Sequence, residues 1–146
     1  MKVVLQRVSE ASVEVSENII SSIGKGLLLL VGADKGDSIE NADYLADRIL
    51  GLRIFEDDAG KMNLSVKDID GEILVVSQFT LSADVSKGRR PSFSTAMPPE
   101  EAQKLFDYFV VKLGEGKQLV KTGEFGAKMK VHILNNGPVT FVLEDR

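Results

Sequence analysis

The residues best suited to chemistry in this sequence are four consecutive ones, Ser77-Gln78-Phe79-Thr80, which we call the polar motif. They follow Val75-Val76, an apolar pair typical of a strand, so hydroxyl, amide and aromatic groups arrive together where a strand ends. Hydroxyls donate or accept hydrogen bonds, and backbone N–H groups at such a turn stabilise a developing oxyanion. The motif therefore indicates a small polar site. In the alternative interpretation, Phe79 belongs to the core and its neighbours are ordinary polar residues of a strand end.

A second candidate is Asn135-Asn136-Gly137-Pro138, which lies between two strand-like segments near the end of the chain. Asn-Gly is the strongest two-residue signal for a hairpin. The following proline, however, cannot donate to a strand ladder, and a Gly-Pro bond can adopt the cis isomer. The segment therefore predicts either a rigid tight turn with its carbonyls held outward or an ordinary hairpin.

The third candidate is the basic run Lys87-Gly88-Arg89-Arg90-Pro91, which lies in a stretch, Val85 to Pro99, that contains no acidic residue. Lysine and arginine in such a run suit contacts to phosphates, as in RNA, although an ordinary solvated loop has the same composition. Because the run closely follows the polar motif, we expect the two to share one surface.

Composition removes many other kinds of site. The 146 residues include no cysteine and a single histidine, which excludes disulfides, thiolate metal sites and clustered imidazole ligands. His132 is predicted on the polar face of a strand, and Glu56-Asp57-Asp58 is predicted as a solvated turn. The net charge of −4 limits nucleic-acid binding to a local basic patch. The longest apolar run, Leu27 to Val31, is far too short to span a membrane, so we expect a cytoplasmic protein.

The elements that must position these residues follow from apolar periodicity. One helix is predicted from Asp37, as N-cap with Glu40 completing a capping box, to Gly51, and another from Pro98-Pro99 to Gly114. We expect α+β architecture: a single domain, residues 1–146, with a largely antiparallel β-sheet or barrel-like core and two main helices. The predicted strands are Val3 to Val8, Val13 to Val15, Ile19 to Ile23, Leu27 to Val31, Leu52 to Phe55, Ile73 to Phe79, Met129 to Ile133 and Val139 to Leu143.

The chain resembles the D-aminoacyl-tRNA deacylases across essentially its full length. The motifs that carry the resemblance are Val4-Leu5-Gln6-Arg7-Val8, Ser77 to Leu81, Lys87 to Phe93, and Met129 through Asn135-Asn136-Gly137-Pro138-Val139-Thr140. The resemblance implies an enzyme that hydrolyses the ester between a D-amino acid and the 3′ end of tRNA, and that also acts on mischarged glycyl-tRNA. It further implies a homodimer that uses neither metal nor cofactor.

The same resemblance implies roles for individual residues. Ser77, Gln78, Phe79 and Thr80 would line the catalytic pocket, and Gly137-Pro138 would insert into the partner subunit's pocket to hold the substrate's α-amino group and exclude an L side chain. Arg7 would brace that turn, Met129 would border the terminal adenosine, and Lys87, Arg89 and Arg90 would contact RNA.

Two mechanisms stay open for such a site. Thr80 could attack the ester, but a hydroxyl nucleophile needs an activating base, and neither central motif contains one. Alternatively, the 2′-hydroxyl of the terminal adenosine helps activate water while the backbone N–H groups of Phe79 and Thr80 stabilise the oxyanion.

Two other functions also remain. A stand-alone editing domain for other mischarged tRNA would use a similar pocket, and a non-catalytic RNA-binding module would use only the loop from Lys87 to Arg90.

Overall fold

The structure of this protein, a computed structural model, describes residues 1–145. The predicted domain extends to Arg146, which lies outside the described residues. Within them are two α-helices, α1 (Ile39–Gly51) and α2 (Pro99–Gly114), and a short 3-10 helix, Phe79–Ser82. The strands are β1 (Lys2–Val15), β2 (Asn18–Ile23), β3 (Gly26–Gly32), β4 (Phe55–Glu56), β5 (Met62–Leu64), β6 (Glu72–Ser77), β7 (Val120–Thr122) and β8 (Lys130–Glu144).

One six-stranded sheet dominates the fold. Its order is β2-β1-β3-β6-β7, and β8 pairs with the other edge of β1. All pairs that involve β1 are antiparallel, whereas β3–β6 and β6–β7 are parallel. The predicted α+β class with two helices is confirmed. The parallel pairs arise because α1 lies between β3 and β6 in the chain, and α2 lies between β6 and β7, and a helical crossover returns the chain in the same direction.

The sheet curves until its two edges nearly meet. The Ser21 hydroxyl on β2 donates to the Thr122 carbonyl on β7 at 2.8 Å, and the Lys121 ammonium donates to the Ser22 carbonyl at 2.8 Å. This closure gives the expected barrel-like core. Its interior is apolar and contains Val8, Ala11, Val13, Ile23, Leu28, Leu74 and Val76.

A second core lies between the opposite face of the sheet and the two helices. Alternate residues of β3 serve the two cores: Leu27 and Leu29 pack towards the helices, and Leu28 packs into the barrel. The apolar run at 27–31 is thus buried on both faces, as predicted. The helices contribute Ala42, Leu45, Ala46 and Ile49 from α1, and Leu105, Phe106, Phe109 and Leu113 from α2. Neither these helices nor any other in residues 1–145 is long and apolar enough to cross a membrane.

The predicted cap of α1 is wrong by one residue. Ser38 is the N-cap, and its backbone N–H donates to the Asn41 side chain at 2.7 Å, so the capping box uses Asn41 and not Glu40. Asp37 is engaged elsewhere, because its carboxylate lies 2.7 Å from the α-ammonium of Met1.

The end of the chain also differs from the prediction. The two expected strands, Met129 to Ile133 and Val139 to Leu143, are parts of one long strand, β8. β8 pairs with β1 on both sides of Asn135, with register shifts near Val8. The hairpin interpretation of Asn135–Pro138 is therefore wrong: these residues form an irregular interruption within one strand. The cause is the length of β1, whose 14 residues pair with both halves of β8 and keep the chain running in one direction.

Candidate active site

The polar motif lies at the carboxyl end of β6, beside the carboxyl end of its parallel neighbour β3. The Gln78 N–H donates to the Val31 carbonyl at 2.7 Å, and the chain then turns into the short 3-10 helix. The carboxyl ends of neighbouring parallel strands are where α/β sheets commonly place ligand sites. The fold therefore puts the motif at a position suited to binding.

The turn at the motif is fixed by close packing against Gly32, at the end of β3. A Cβ atom at Gly32 would lie 2.9 Å from the Gln78 carbonyl oxygen and 3.0 Å from Cβ of Leu81. The Ser82 hydroxyl donates to the Ala33 carbonyl at 3.2 Å, and the Thr95 hydroxyl donates to the Ser82 carbonyl at 2.7 Å. These contacts leave the turn little freedom to move.

A cavity of about 470 Å³ opens beside the motif, and Ser77, Gln78 and Phe79 form part of its wall. Its lining contains no charged side chain. A cavity of this size holds one small organic ligand. Our sequence interpretation missed most of its wall, because these residues come from separate parts of the chain: Met1, Val31, Ala33, Phe93, Ala96, Met97, Pro98, Pro99, Ala102, Phe106, Phe125 and Gly126.

The 3-10 helix presents two unused backbone donors. Within residues 1–145, the N–H groups of Phe79 and Thr80 have no hydrogen-bond acceptor, whereas the next N–H, that of Leu81, donates to the Gln78 carbonyl. The first N–H groups of a helix lack intrahelical partners, so these two are available to a ligand.

The Thr80 hydroxyl is not placed as an activated nucleophile. It accepts a hydrogen bond from the side-chain amide of Gln78, and Thr80 is not part of the cavity wall. His132 lies elsewhere, on β8, with its Nε2 atom 3.1 Å from a carboxylate oxygen of Glu14. Neither His132 nor a carboxylate is hydrogen-bonded to the hydroxyl among the described residues.

Arg7, on β1, is buried and forms hydrogen bonds to two other segments of the chain, one at Ile54 and one at Asn136. Its Nη1 donates to the Ile54 carbonyl at 2.8 Å, and its Nε donates to the Asn136 carbonyl at 3.1 Å. The Asn135 side-chain amide donates in return to the Arg7 carbonyl at 2.9 Å. Arg7 is therefore hydrogen-bonded to both asparagines of the irregular segment of β8, through its side chain to Asn136 and through its backbone carbonyl to Asn135.

Gly137-Pro138 and Met129 are not part of the cavity wall within one chain. The Gly137–Pro138 peptide bond is cis, both residues are exposed, and neither belongs to the cavity wall. Met129 is half-buried and packs against the barrel core. Within one chain, none of these three residues belongs to the cavity wall that contains Ser77, Gln78 and Phe79.

The basic run forms the tip of a hairpin, residues 84–92, which we call the basic hairpin. Asp84 and Ser92 exchange backbone hydrogen bonds of 2.7 and 2.9 Å, and Lys87, Arg89 and Arg90 are exposed. Hydrogen bonds from the Ser86 hydroxyl and N–H occupy the Asp84 carboxylate and lower its pKa. The hairpin leads directly to the Phe93 ring, whose centroid is 5.1 Å from that of Phe79. As expected, the basic run and the polar motif share one surface.

The acidic segment Glu56-Asp57-Asp58 has the internal hydrogen bonds of a turn. The Asp57 carboxylate accepts from the N–H groups of Lys61 and Ala59, and these bonds lower its pKa. In residues 1–145, no group of three or more histidine or acidic side chains is arranged to hold a metal ion.

The whole chain, apart from a few terminal residues, matches a known family. Residues 4–144 match the model of the family described as D-Tyr-tRNA(Tyr) deacylase. The chain belongs to this family. The resemblance found in the sequence motifs is therefore confirmed, and the cavity at Ser77-Gln78-Phe79 is the candidate active site of a deacylase-family protein.

Individual deacylases are similar over their full length. The D-aminoacyl-tRNA deacylase of Geobacter sulfurreducens is 56% identical over 146 residues, which are 100% of this chain and 96% of that protein. The D-aminoacyl-tRNA deacylase of Geotalea uraniireducens is 59% identical over 144 residues, or 99% of this chain and 93% of that protein. A solved structure named c-Myc DNA Unwinding Element Binding Protein is 45% identical, with a TM-score of 0.94, and the match covers 100% of this chain and 99% of the other.

Proposed function

We infer that this protein hydrolyses the ester bond of D-aminoacyl-tRNA and releases the free D-amino acid and tRNA. Its family membership over residues 4–144 and its identity of 56–59% to D-aminoacyl-tRNA deacylases support this activity. The structural observation that carries it is the cavity at the polar motif, whose lining side chains are uncharged, together with the Phe79 and Thr80 N–H groups, which have no acceptor among the described residues. By the resemblance, mischarged glycyl-tRNA is a further substrate.

The proposed mechanism uses the RNA's own hydroxyl. The 2′-hydroxyl of the terminal adenosine helps activate water, and the N–H groups of Phe79 and Thr80 stabilise the oxyanion, each good donor contributing about 3 kcal/mol. Ser77 and Gln78 complete the pocket. Among the described residues, no base is hydrogen-bonded to the Thr80 hydroxyl, and this supports the mechanism over attack by Thr80. The chemistry requires neither a metal nor a cofactor.

The complete site, in this proposal, needs a second copy of the chain. Gly137-Pro138 of one subunit would enter the cavity of its partner, where its carbonyls hold the α-amino group and its closeness excludes an L side chain. The exposure of both residues supports this arrangement. So does β8, which exposes large apolar side chains that a partner would cover: Ile133, Leu134, Phe141 and Val142.

The remaining roles follow from this assembly. Arg7 braces the Gly137-Pro138 segment through its bonds to Asn136, and Met129 borders the terminal adenosine. Lys87, Arg89 and Arg90 contact the RNA backbone. We propose a single deacylase domain over residues 1–146, acting in the cytoplasm, where aminoacyl-tRNA is made and used.

The decisive experiment compares matched D- and L-aminoacyl-tRNA with the purified protein. We expect hydrolysis of the D substrate and protection of the L substrate. Preference for a mischarged L substrate would indicate an editing domain of another type. Binding without hydrolysis would indicate a nucleic-acid-binding module, a second candidate favoured by the basic hairpin and by the name of the 45% identical structure.

The Thr80→Ala variant separates the two mechanisms. If the RNA hydroxyl assists and Thr80 supplies only its backbone N–H, the variant keeps substantial deacylation. A loss near 10⁴-fold with folding intact, comparable to removal of a true nucleophile, would show that the Thr80 hydroxyl attacks the ester.

A further inference from the structure

The cavity is too small to hold more than the end of an aminoacyl-tRNA. Its volume of about 470 Å³ accommodates one small ligand, here the terminal nucleoside with its amino acid. Every tRNA ends in the single-stranded sequence CCA. The two cytidines must therefore leave the cavity and cross its rim, and the structure contains a surface suited to receive them.

That surface begins with two exposed aromatic rings at the cavity. Phe79 is 61% exposed and Phe93 is 43% exposed, although both contribute to the cavity wall. Their centroids lie 5.1 Å apart and their planes are inclined by 56°. Packing in the core does not explain why these two rings are exposed. Exposed aromatic rings are the platforms on which the bases of single-stranded nucleic acids stack.

The charge around the cavity favours one exit for the RNA. Next to the Phe93 ring, the basic hairpin exposes Lys87, Arg89 and Arg90, and no acidic residue occurs from 85 to 99. Next to Pro98 and Pro99, which also form part of the wall, the first turn of α2 exposes Glu100 and Glu101. Phosphates are attracted to the basic hairpin and repelled by the first turn of α2.

We propose that Phe93, together with the Phe79 ring, stacks the base of the cytidine next to the terminal adenosine, and that Arg89 and Arg90 bind the phosphates of this single-stranded end. Phe93 is thereby a positioning residue: it holds the strand so that the ester lies at the polar motif. The inference rests on the proposed function and deepens it, because it assigns a second binding site for the acceptor end at the rim of the cavity.

Binding of uncharged RNA tests this site without catalysis. The probes are the trinucleotide CCA and AMP, which differ by the two cytidines. We expect the unaltered protein to bind CCA more tightly than AMP. Phe93→Ala should weaken CCA binding about ten-fold more than it weakens AMP binding, and Phe93→Tyr, which keeps an aromatic ring, should restore CCA binding.

Salt dependence tests the two arginines. Loss of two phosphate contacts in the double variant Arg89→Ala/Arg90→Ala should reduce the slope of log K against log salt for CCA by about 1.4. The matched control, Lys25→Ala/Lys67→Ala, removes two exposed charges near the other end of β3 and should leave the slope unchanged. Equal slopes in the two double variants would overturn the role of the arginines.

Hydrolysis of two substrates separates this inference from the proposed function. Phe93→Ala should raise KM for D-aminoacyl-tRNA by a larger factor than it lowers kcat/KM for a D-aminoacyl ester of adenosine, which lacks the two cytidines. If Phe93→Ala weakens AMP and CCA equally, Phe93 is only part of the cavity wall and the inference fails. If the unaltered protein hydrolyses neither substrate, the proposed function fails, and CCA binding still decides the inference.

Discussion

Replacement of Arg7 by methionine tests how the irregular segment of β8 is held. Methionine keeps most of the length and apolar contact of the arginine stem but donates no hydrogen bond. The variant leaves the carbonyls of Ile54 and Asn136 without their donors. Because Arg7 is only 5% exposed, water replaces these donors poorly.

The expected cost follows from the individual bonds. The buried bond to the Ile54 carbonyl, 2.8 Å long and donated by a charged group, contributes about 2 kcal/mol. The Nε bond to Asn136, at 3.1 Å and partly buried, adds about 1 kcal/mol. The 3.4 Å contact to Asn136 Oδ1 adds little. We therefore expect the free energy of unfolding to fall by about 3 kcal/mol, which lowers Tm by roughly 10 °C for a chain of this length.

Urea unfolding at fixed protein concentration measures this change, since assembly makes the apparent stability depend on concentration. Asn136→Ala is the matched control, because it removes only the 3.4 Å contact and leaves the backbone bond in place. Its loss should stay below about 1 kcal/mol. A loss of less than 1 kcal/mol in Arg7→Met would refute the reasoning, since the three bonds would then be replaced by water.

Two further predictions concern other contacts around the site. Gly32→Ala places a Cβ 2.9 Å from the Gln78 carbonyl oxygen, so it should lower the free energy of unfolding by about 2 kcal/mol and reduce deacylation. Gly51→Ala, the control, has open space around the new Cβ and should not lower the free energy of unfolding. Equal melting temperatures of the two variants would contradict the packing argument. The Met1 α-ammonium has a raised pKa, because burial would lower it but hydrogen bonds to Asp37 and Asp145 outweigh that effect. Its stabilising contribution is therefore complete below the unfolded pKa near 8.0 and is lost as pH rises through the folded pKa. Asp37→Asn should lower the free energy of unfolding by about 2 kcal/mol at pH 7. In urea unfolding, it should also reduce the decline of this free energy as pH rises above 8.0. The same decline in the variant and the unaltered protein would contradict the role assigned to the Met1–Asp37 contact.

Much of the fold could be predicted because its signals are local. The apolar run at 27–31 and the stripes of α1 and α2 report burial directly, and they lie where they were expected. The errors arise where a residue distant in sequence determines the local structure. Asp37 is a good N-cap by itself, but the ammonium of Met1 occupies its carboxylate. The strands β5 and β7 were not predicted for a different reason: each has only three residues, too few to show the alternation of apolar and polar residues that indicates a strand.

The candidate site was only partly predictable for the same reason. The polar motif is contiguous and could be recognised at the end of its strand. Phe106 and Phe125 reach the cavity from α2 and from the loop before β8, and nothing in their own neighbourhoods distinguishes them from core residues. The hairpin signal at Asn135–Pro138 was misleading, because the length of β1, and not the local dipeptide, determines the path of β8.

The pairing of β1 with β8 has a consequence for synthesis of the protein. Lys2 lies opposite Glu144, so β1 leaves the ribosome long before the strand with which it pairs, β8. Until then, one edge of β1 has unpaired backbone groups, and contacts so distant in sequence form slowly. The chain therefore completes its sheet only after β8 has been translated, and a nascent chain that stalls before β8 exposes a 14-residue strand edge to aggregation.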